Sequence, residues 1–217
     1  ATDRVGLADI TALKEAGLTQ LAQSIDHPDQ DSHDTFRQVP GTFQKTLQIL
    51  AWAREMGLPT QVNTVFHGGN AGDFSKLAEL VRSLDVVFWE IFFLVPTGRG
   101  KDIPGLTAQA VEKIFAEIYA FSKTVKFFIK VTEAPHYNRY VIERKLLEAG
   151  HDPLDIWRRG SIFPEELTTA LGPRGTIGRA PEPVNSGKGF VFISYKGDVF
   201  PSGFLPVSVG NIRDATL

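Results

Sequence analysis

Apolar and polar positions follow two alternating periods along the chain. Leu7, Ile10, Leu13 and Ala16 recur every third residue, the stripe of a short helix that Gly17 closes. Leu21, Ala22 and Ile25 then predict a brief strand whose end carries Ser24 and Asp26. Phe43, Leu47, Leu50, Ala51 and Met56 return to the helical period, with Thr42 as the expected N-cap and Gly57 as the stop. Thr60–Phe66 predicts a second strand, with Val62 and Val65 set among Gln61, Asn63 and Thr64. His67-Gly-Gly-Asn-Ala-Gly reads as a turn, and Asp73 as the cap of a helix through Leu77, Leu80, Val81 and Leu84. The strongest strand, Val86–Val95, is interrupted by Glu90 and closed by Pro96-Thr-Gly-Arg-Gly100. A helix over 107–122 and a strand over 125–131 complete the series.

Strand–helix alternation with short links predicts an α/β fold, a parallel sheet wound by right-handed crossovers. After Glu133 the texture changes. Residues 137–150 look helical, 156–160 give no clear pattern, and 172–183 are rich in glycine, proline and arginine. Residues 189–200 alternate on both sides of Lys196-Gly197, the pattern of a β-hairpin. The expected division is therefore 1–135 as the α/β part, 136–183 as a helical and loop linker, and 184–217 as a small β-hairpin extension.

Composition narrows the partners. A net charge of −2 gives no long-range attraction to nucleic acid or an anionic membrane, so neither is expected. The longest apolar run is too short and too charged to span a bilayer. With no cysteine among 217 residues, these residues supply no disulfide, thiolate zinc site, cysteine nucleophile or thiolate-held iron–sulfur cluster. The chain opens without a basic segment followed by an apolar core, and with the missing cysteines this fits a cytoplasmic protein.

Candidate chemistry gathers at the predicted strand ends, where parallel α/β folds place ligand contacts. Ser24 and Asp26 end the first strand, Asn63 with Gln61 lies on the second, and a glycine-rich turn follows Val95. The segment 19–34 adds His27, Asp29, Asp31, His33 and Asp34, and it also reads as a solvated loop capping the next helix. Five histidines (His27, His33, His67, His136, His151) invite a metal site, yet the spacing of His27 and His33 matches no zinc motif. Gly98-Arg-Gly-Lys101 would suit a phosphate or carboxylate, or be a solvated basic turn. No G-x-S-x-G elbow is present, so a hydrolase triad lacks support.

Several motifs together resemble one family. Leu13-Lys-Glu-Ala-Gly-Leu-Thr-Gln-Leu-Ala-Gln-Ser-Ile-Asp26, His33-Asp-x-Phe-Arg37, Gly41-Thr-Phe and Ala53-Arg-Glu-Met-Gly-Leu-Pro-x-Gln-Val-Asn-Thr64 are similar to the middle of a radical S-adenosylmethionine (SAM) enzyme. Phe92-Phe-Leu-Val-Pro-x-Gly-Arg-Gly100, Thr132-Glu-Ala-Pro-His-Tyr137 and the 187–210 hairpin resemble the subgroup with a C-terminal SPASM-type domain, which includes haem-biosynthesis and peptide-modifying enzymes. The resemblance implies a partial parallel (β/α) barrel, with strands 20–26, 60–66 and 86–95 as its fourth, fifth and sixth. It implies that Ser24 lies near the methionine carboxylate of SAM, that Asn63 faces the ribose, and that the backbone around Leu94 and Val95 borders the adenine. Asp26 takes the position of a Ser-(Leu/Ile)-Asp-Gly motif in which His27 replaces the glycine. A small molecule or a peptide is the implied substrate.

The resemblance also implies SAM and a [4Fe-4S] cluster in the parent enzyme, cleaving SAM to a 5′-deoxyadenosyl radical that abstracts a substrate hydrogen. The C-x-x-x-C-x-x-C loop and the glycine-rich SAM-amine segment are not in these residues, and Ser202 stands where many relatives place an auxiliary-cluster cysteine. The expectation is thus the central and late part of such an enzyme, cut at both ends and inactive by itself. Half a barrel would expose apolar strand edges that a homodimer could cover. Two other readings stay open: a non-catalytic nucleoside- or peptide-binding module on the same barrel, and a metal-dependent hydrolase using His27, His33, Asp26 and Glu133.

Overall fold

The strand alternation resolves into a four-stranded parallel sheet. In a computed structural model, which describes residues 4–159 and 191–214, the order of elements is α1 (Leu7–Glu15), β1 (Leu21–Ser24), α2 (Gln30–Arg37), α3 (Thr42–Glu55), β2 (Thr60–Phe66), α4 (Phe74–Ser83) and β3 (Phe88–Phe93). A short 3-10 turn (Gly98–Asp102), α5 (Ala108–Ser122), β4 (Phe128–Thr132), α6 (Tyr137–Glu148) and α7 (Pro153–Arg159) follow. The strands pair in sequence order, β1-β2-β3-β4, every pair parallel.

Period-two burial gives this sheet two unlike faces. Thr60, Val62, Thr64 and Phe66 of β2 are buried, as are Trp89, Ile91 and Phe93 of β3. They meet the apolar stripes of α3, α4 and α5, including Leu50, Leu77, Ile114 and Phe115. Trp89 lies between Phe74, with ring centroids 5.7 Å apart, and Phe121, at 5.8 Å. Burying each such side chain is worth about 1.5–3 kcal/mol, so this layer carries the fold. A smaller cluster of Ile10, Leu21, Ile49, Ala53 and Leu58 attaches α1 to α3 and β1.

The other face, carrying Ser24, Gln61, Asn63, Glu90, Phe92, Lys130 and Thr132, is only partly covered.

Three local outcomes differ from the sequence pattern. The acidic segment after Asp26 is not loop throughout: Asp29 accepts from Ser32 N and starts α2, a polar helix with only His33 buried. Thr42 is not the cap of α3. Asp34, reaching from α2, accepts from Gly41 N and Phe43 N instead. Asp73 sits at the N-cap of α4, but its carboxylate bonds no helix N–H and faces His27 and Lys76. By contrast, Thr107 caps α5 through Ala110 N.

Cα packing divides the chain into Ala1–Gly172 and Pro173–Leu217. In the second unit β5 (Phe192–Ile193) and β6 (Asp198–Phe200) form the expected antiparallel hairpin, and β7 (Gly210–Asn211) adds a third strand. Ser194 Oγ accepts from Lys196 N and Asp198 N across the turn, where Gly197 takes φ 89°. The glycine- and proline-rich stretch 172–183 and the start of the hairpin at Gly189 lie outside the described residues.

Candidate functional site

Parallel register brings side chains from all four strands into rows on the open face. Ser24 pairs with Asn63, Asn63 with Glu90, and Glu90 with Lys130. These positions share one side of the pleat, so a hydroxyl, an amide, a carboxylate and an ammonium stand at one level.

A hydrogen-bonded lattice orders that level. Gln20 Nε2 donates to Gln61 Oε1 at 2.8 Å. Gln61 Nε2 donates to Asn63 Oδ1 at 2.7 Å and to Glu90 Oε2 at 3.0 Å. Glu90 Oε1 accepts from Lys130 Nζ at 2.9 Å and from Thr132 Oγ1 at 2.8 Å. Because Asn63 uses its oxygen toward Gln61, its NH2 faces outward as a donor.

A second group of residues holds the strand ends in place. Asp26 is fully buried; its Oδ1 accepts from Val65 N at 2.9 Å and its Oδ2 from Arg37 Nε at 2.6 Å. Asp26 N donates to His33 Nδ1 at 3.1 Å. Asn70 Nδ2 donates both to Asp26 O and to Val65 O, while Asn70 Oδ1 accepts from His67 N. Asp26 is therefore turned into the fold and not toward the open face, with Ser24 two residues before it on that face.

Burial lowers the pKa of both His33 and His67, with the neighbouring His27 adding to the shift in each. His67 Nδ1 accepts from Gly69 N, its ring stacks on Phe36 at 4.6 Å, and Nε2 is buried without a partner. His27 stands edge-on to His67 at 5.5 Å, and its Nδ1 is 3.8 Å from Asp73.

Among the described residues no three His, Cys, Asp or Glu side chains form a group able to hold a metal ion, so His27, His33, Asp26 and Glu133 do not converge as ligands. Leu94 N donates to Phe66 O, continuing the pairing of β3 with β2 past its last residue, and Val95 follows half-buried. Two participants were not singled out by the sequence pattern. Glu90 shows there only as a break in an apolar run, although the alternation of Phe88, Glu90 and Phe92 places them on one face. Asn70 is hidden within a glycine-rich turn.

The fold and site define a parallel α/β layer with a row of polar groups along one partly covered face. Over 93% of its length the chain is 33% identical to the AdoMet-dependent heme synthase of Nitratidesulfovibrio vulgaris. Over 94% it is 35% identical to that of Methanosarcina barkeri. It covers 51% and 54% of those proteins, and thus spans about half the length of the curated relatives it matches. A PqqA peptide cyclase of Methylocella silvestris is 27% identical over 57% of this chain and 37% of its own length. The crystal structure of Streptococcus suis SuiB bound to precursor peptide SuiA superposes with a TM-score of 0.64 at 12% identity, covering all of this chain and 45% of SuiB. SuiB bound to S-adenosylmethionine gives 0.60 at 12% identity, over 97% of this chain and 44% of SuiB. No family model matches the chain. By sequence the chain is a homologue of the AdoMet-dependent heme synthases, which are radical SAM enzymes, and it shares the fold of SuiB.

Proposed function

We propose that these residues form part of the SAM- and substrate-binding wall of a radical SAM oxidoreductase. In this reading the hydroxyl of Ser24 meets the methionine carboxylate, the free NH2 of Asn63 meets the ribose, and the backbone at Leu94 and Val95 borders the adenine. The observation that carries it is the register: Ser24 and Asn63 are direct partners on the partly covered face, and both offer donors suited to SAM oxygens. Asp26 positions this pair from behind through Val65 N and Arg37.

SAM beside a reduced [4Fe-4S] cluster would be the source of the radical chemistry of such an enzyme. The cluster does not fit these 217 residues, which contain no cysteine to ligate it. The chain's own contribution is to bind and orient. A haem precursor or a peptide is the substrate suggested by the names of its relatives. The described helices include none long and apolar enough to cross a membrane.

Equilibrium dialysis of the chain with radiolabelled SAM tests the reading. The expected result is saturable binding that Asn63→Ala and Ser24→Ala each weaken about tenfold, the loss of one good hydrogen bond to a charged or polar ligand group. Unchanged binding in both variants overturns the placement. Under anaerobic reduction the chain alone is expected to form no 5′-deoxyadenosine; its formation would refute the statement that these residues cannot hold the cluster.

A further inference from the structure

The open face carries one cation among its described strand residues, and that cation has unused hydrogen-bonding capacity. Lys130 and Glu90 are register partners, with Nζ 2.9 Å from Oε1. The two ends of the pair are unequal: the Glu90 side chain is 14% exposed and that of Lys130 49%. Glu90 also accepts from Thr132 and Gln61, so its oxygens are engaged. An ammonium has three donors and Glu90 takes one of them. What this pair offers outward is donor, not acceptor.

Phenylalanines flank this polar pair along the strands. One pleat step toward the strand starts, Phe88 pairs with Phe128, and one step toward the ends Phe92 pairs with Thr132. Phe128 is 36% exposed, and Phe88 and Phe92 are partly so. A lone lysine with phenylalanines one register step away on either side suits a singly charged carboxylate on an apolar body. A phosphate would ordinarily call for several cations or a nest of backbone N–H groups. A ligand ammonium would have to compete with Lys130, Thr132 and Gln61 for the one Glu90 carboxylate.

We propose that Lys130, held in register by Glu90, is the specificity-determining contact for a carboxylate on an apolar or aromatic substrate body. The proposal rests on the reading of this face as the substrate wall, and it adds the group that the wall selects.

Three fluorescent probes of one shape test it: pyrenebutyrate, its methyl ester and pyrenebutylamine, titrated into the 217-residue chain. The acid is expected to bind about tenfold more tightly than the ester, the scale of one charge-assisted hydrogen bond. Lys130→Met should reduce that ratio to near one, and Lys130→Arg should keep most of it. Near-UV circular dichroism identifies any variant that has lost its fold, and the arginine variant then carries the test. Equal affinity for acid and ester, tighter binding of the amine, or no binding overturns the proposal. A fall in SAM affinity in Lys130→Met to match the acid also overturns it, because Lys130 would then serve the cofactor. SAM binding by the unaltered chain is measured separately, so failure here is distinguishable from failure of the functional reading.

Discussion

Asp26 Oδ1 accepts the main-chain N–H of Val65 at 2.9 Å, so one buried carboxylate fastens the end of β1 to the neighbouring strand. Arg37 supplies its compensating charge from α2. Arg37→Ala would leave a fully buried anion without its cation and is expected to cost about 3 kcal/mol. Arg37→Lys, which keeps charge but not the planar fork, should cost about 1 kcal/mol. Urea denaturation of the two variants checks the order; equal losses would contradict the pairing.

Thr64 joins the same two strands on the buried face. Its hydroxyl donates to Ile25 O at 2.7 Å and accepts from the indole N–H of Trp89 at 2.9 Å. Thr64→Val conserves shape but strands both partners in an apolar layer, at a cost of about 2–4 kcal/mol. Thr64→Ser retains both bonds and should lose only about 1 kcal/mol for the methyl group. A valine variant as stable as the serine one would show that neither bond contributes.

Gly68 has no room for a side chain. A Cβ there would lie 2.8 Å from Gly105 O and 2.9 Å from Pro104 O and Cβ, mostly backbone that cannot swing aside. Gly68 N also donates to Pro104 O at 2.7 Å. Gly68→Ala should therefore push the 104–105 segment away and destabilise by about 1–3 kcal/mol, read as a lower thermal midpoint.

Acid should weaken the first unit through His33 and His67. Burial sets both folded pKa values below the ordinary 6.5, so the folded state binds fewer protons than the unfolded chain. The sign follows: their contribution is complete above about pH 6.5 and declines as pH falls through that value toward the lowered folded pKa. Asparagine at either position keeps an acceptor near the place of Nδ1 while removing the titration. Urea midpoints at neutral and mildly acidic pH should converge in His33→Asn and His67→Asn; an unchanged pH difference in the double variant would refute their role.

The strongly periodic elements were legible from sequence because packing and pattern agree in them. Trp89, Ile91 and Phe93 alternate as a half-buried strand must, and Ile114, Phe115 and Ile118 keep a helical face. The polar helix α2 escaped because its sequence, Gln-Asp-Ser-His-Asp-Thr-Phe-Arg, buries one histidine and is held by long-range bonds from Arg37 and Asp34. Its local signal was Asp29, placed to accept from Ser32 N. The row Ser24–Asn63–Glu90–Lys130 was half legible. All four end or lie within predicted strands and the first two stood out as candidates, but only the register joins them to Glu90 and Lys130.

Trp89 and Glu90 are neighbours in β3 that look in opposite directions, one into the aromatic layer and the other onto the open face. The indole N–H is tied to Thr64 of the adjacent strand, so its surroundings depend on how β2 and β3 lie together. The molecule thus carries a built-in optical probe of this seam: with Trp52 and Trp157 replaced by phenylalanine, ultraviolet emission would come from Trp89 alone and would report a shift of β2 against β3 without any attached dye.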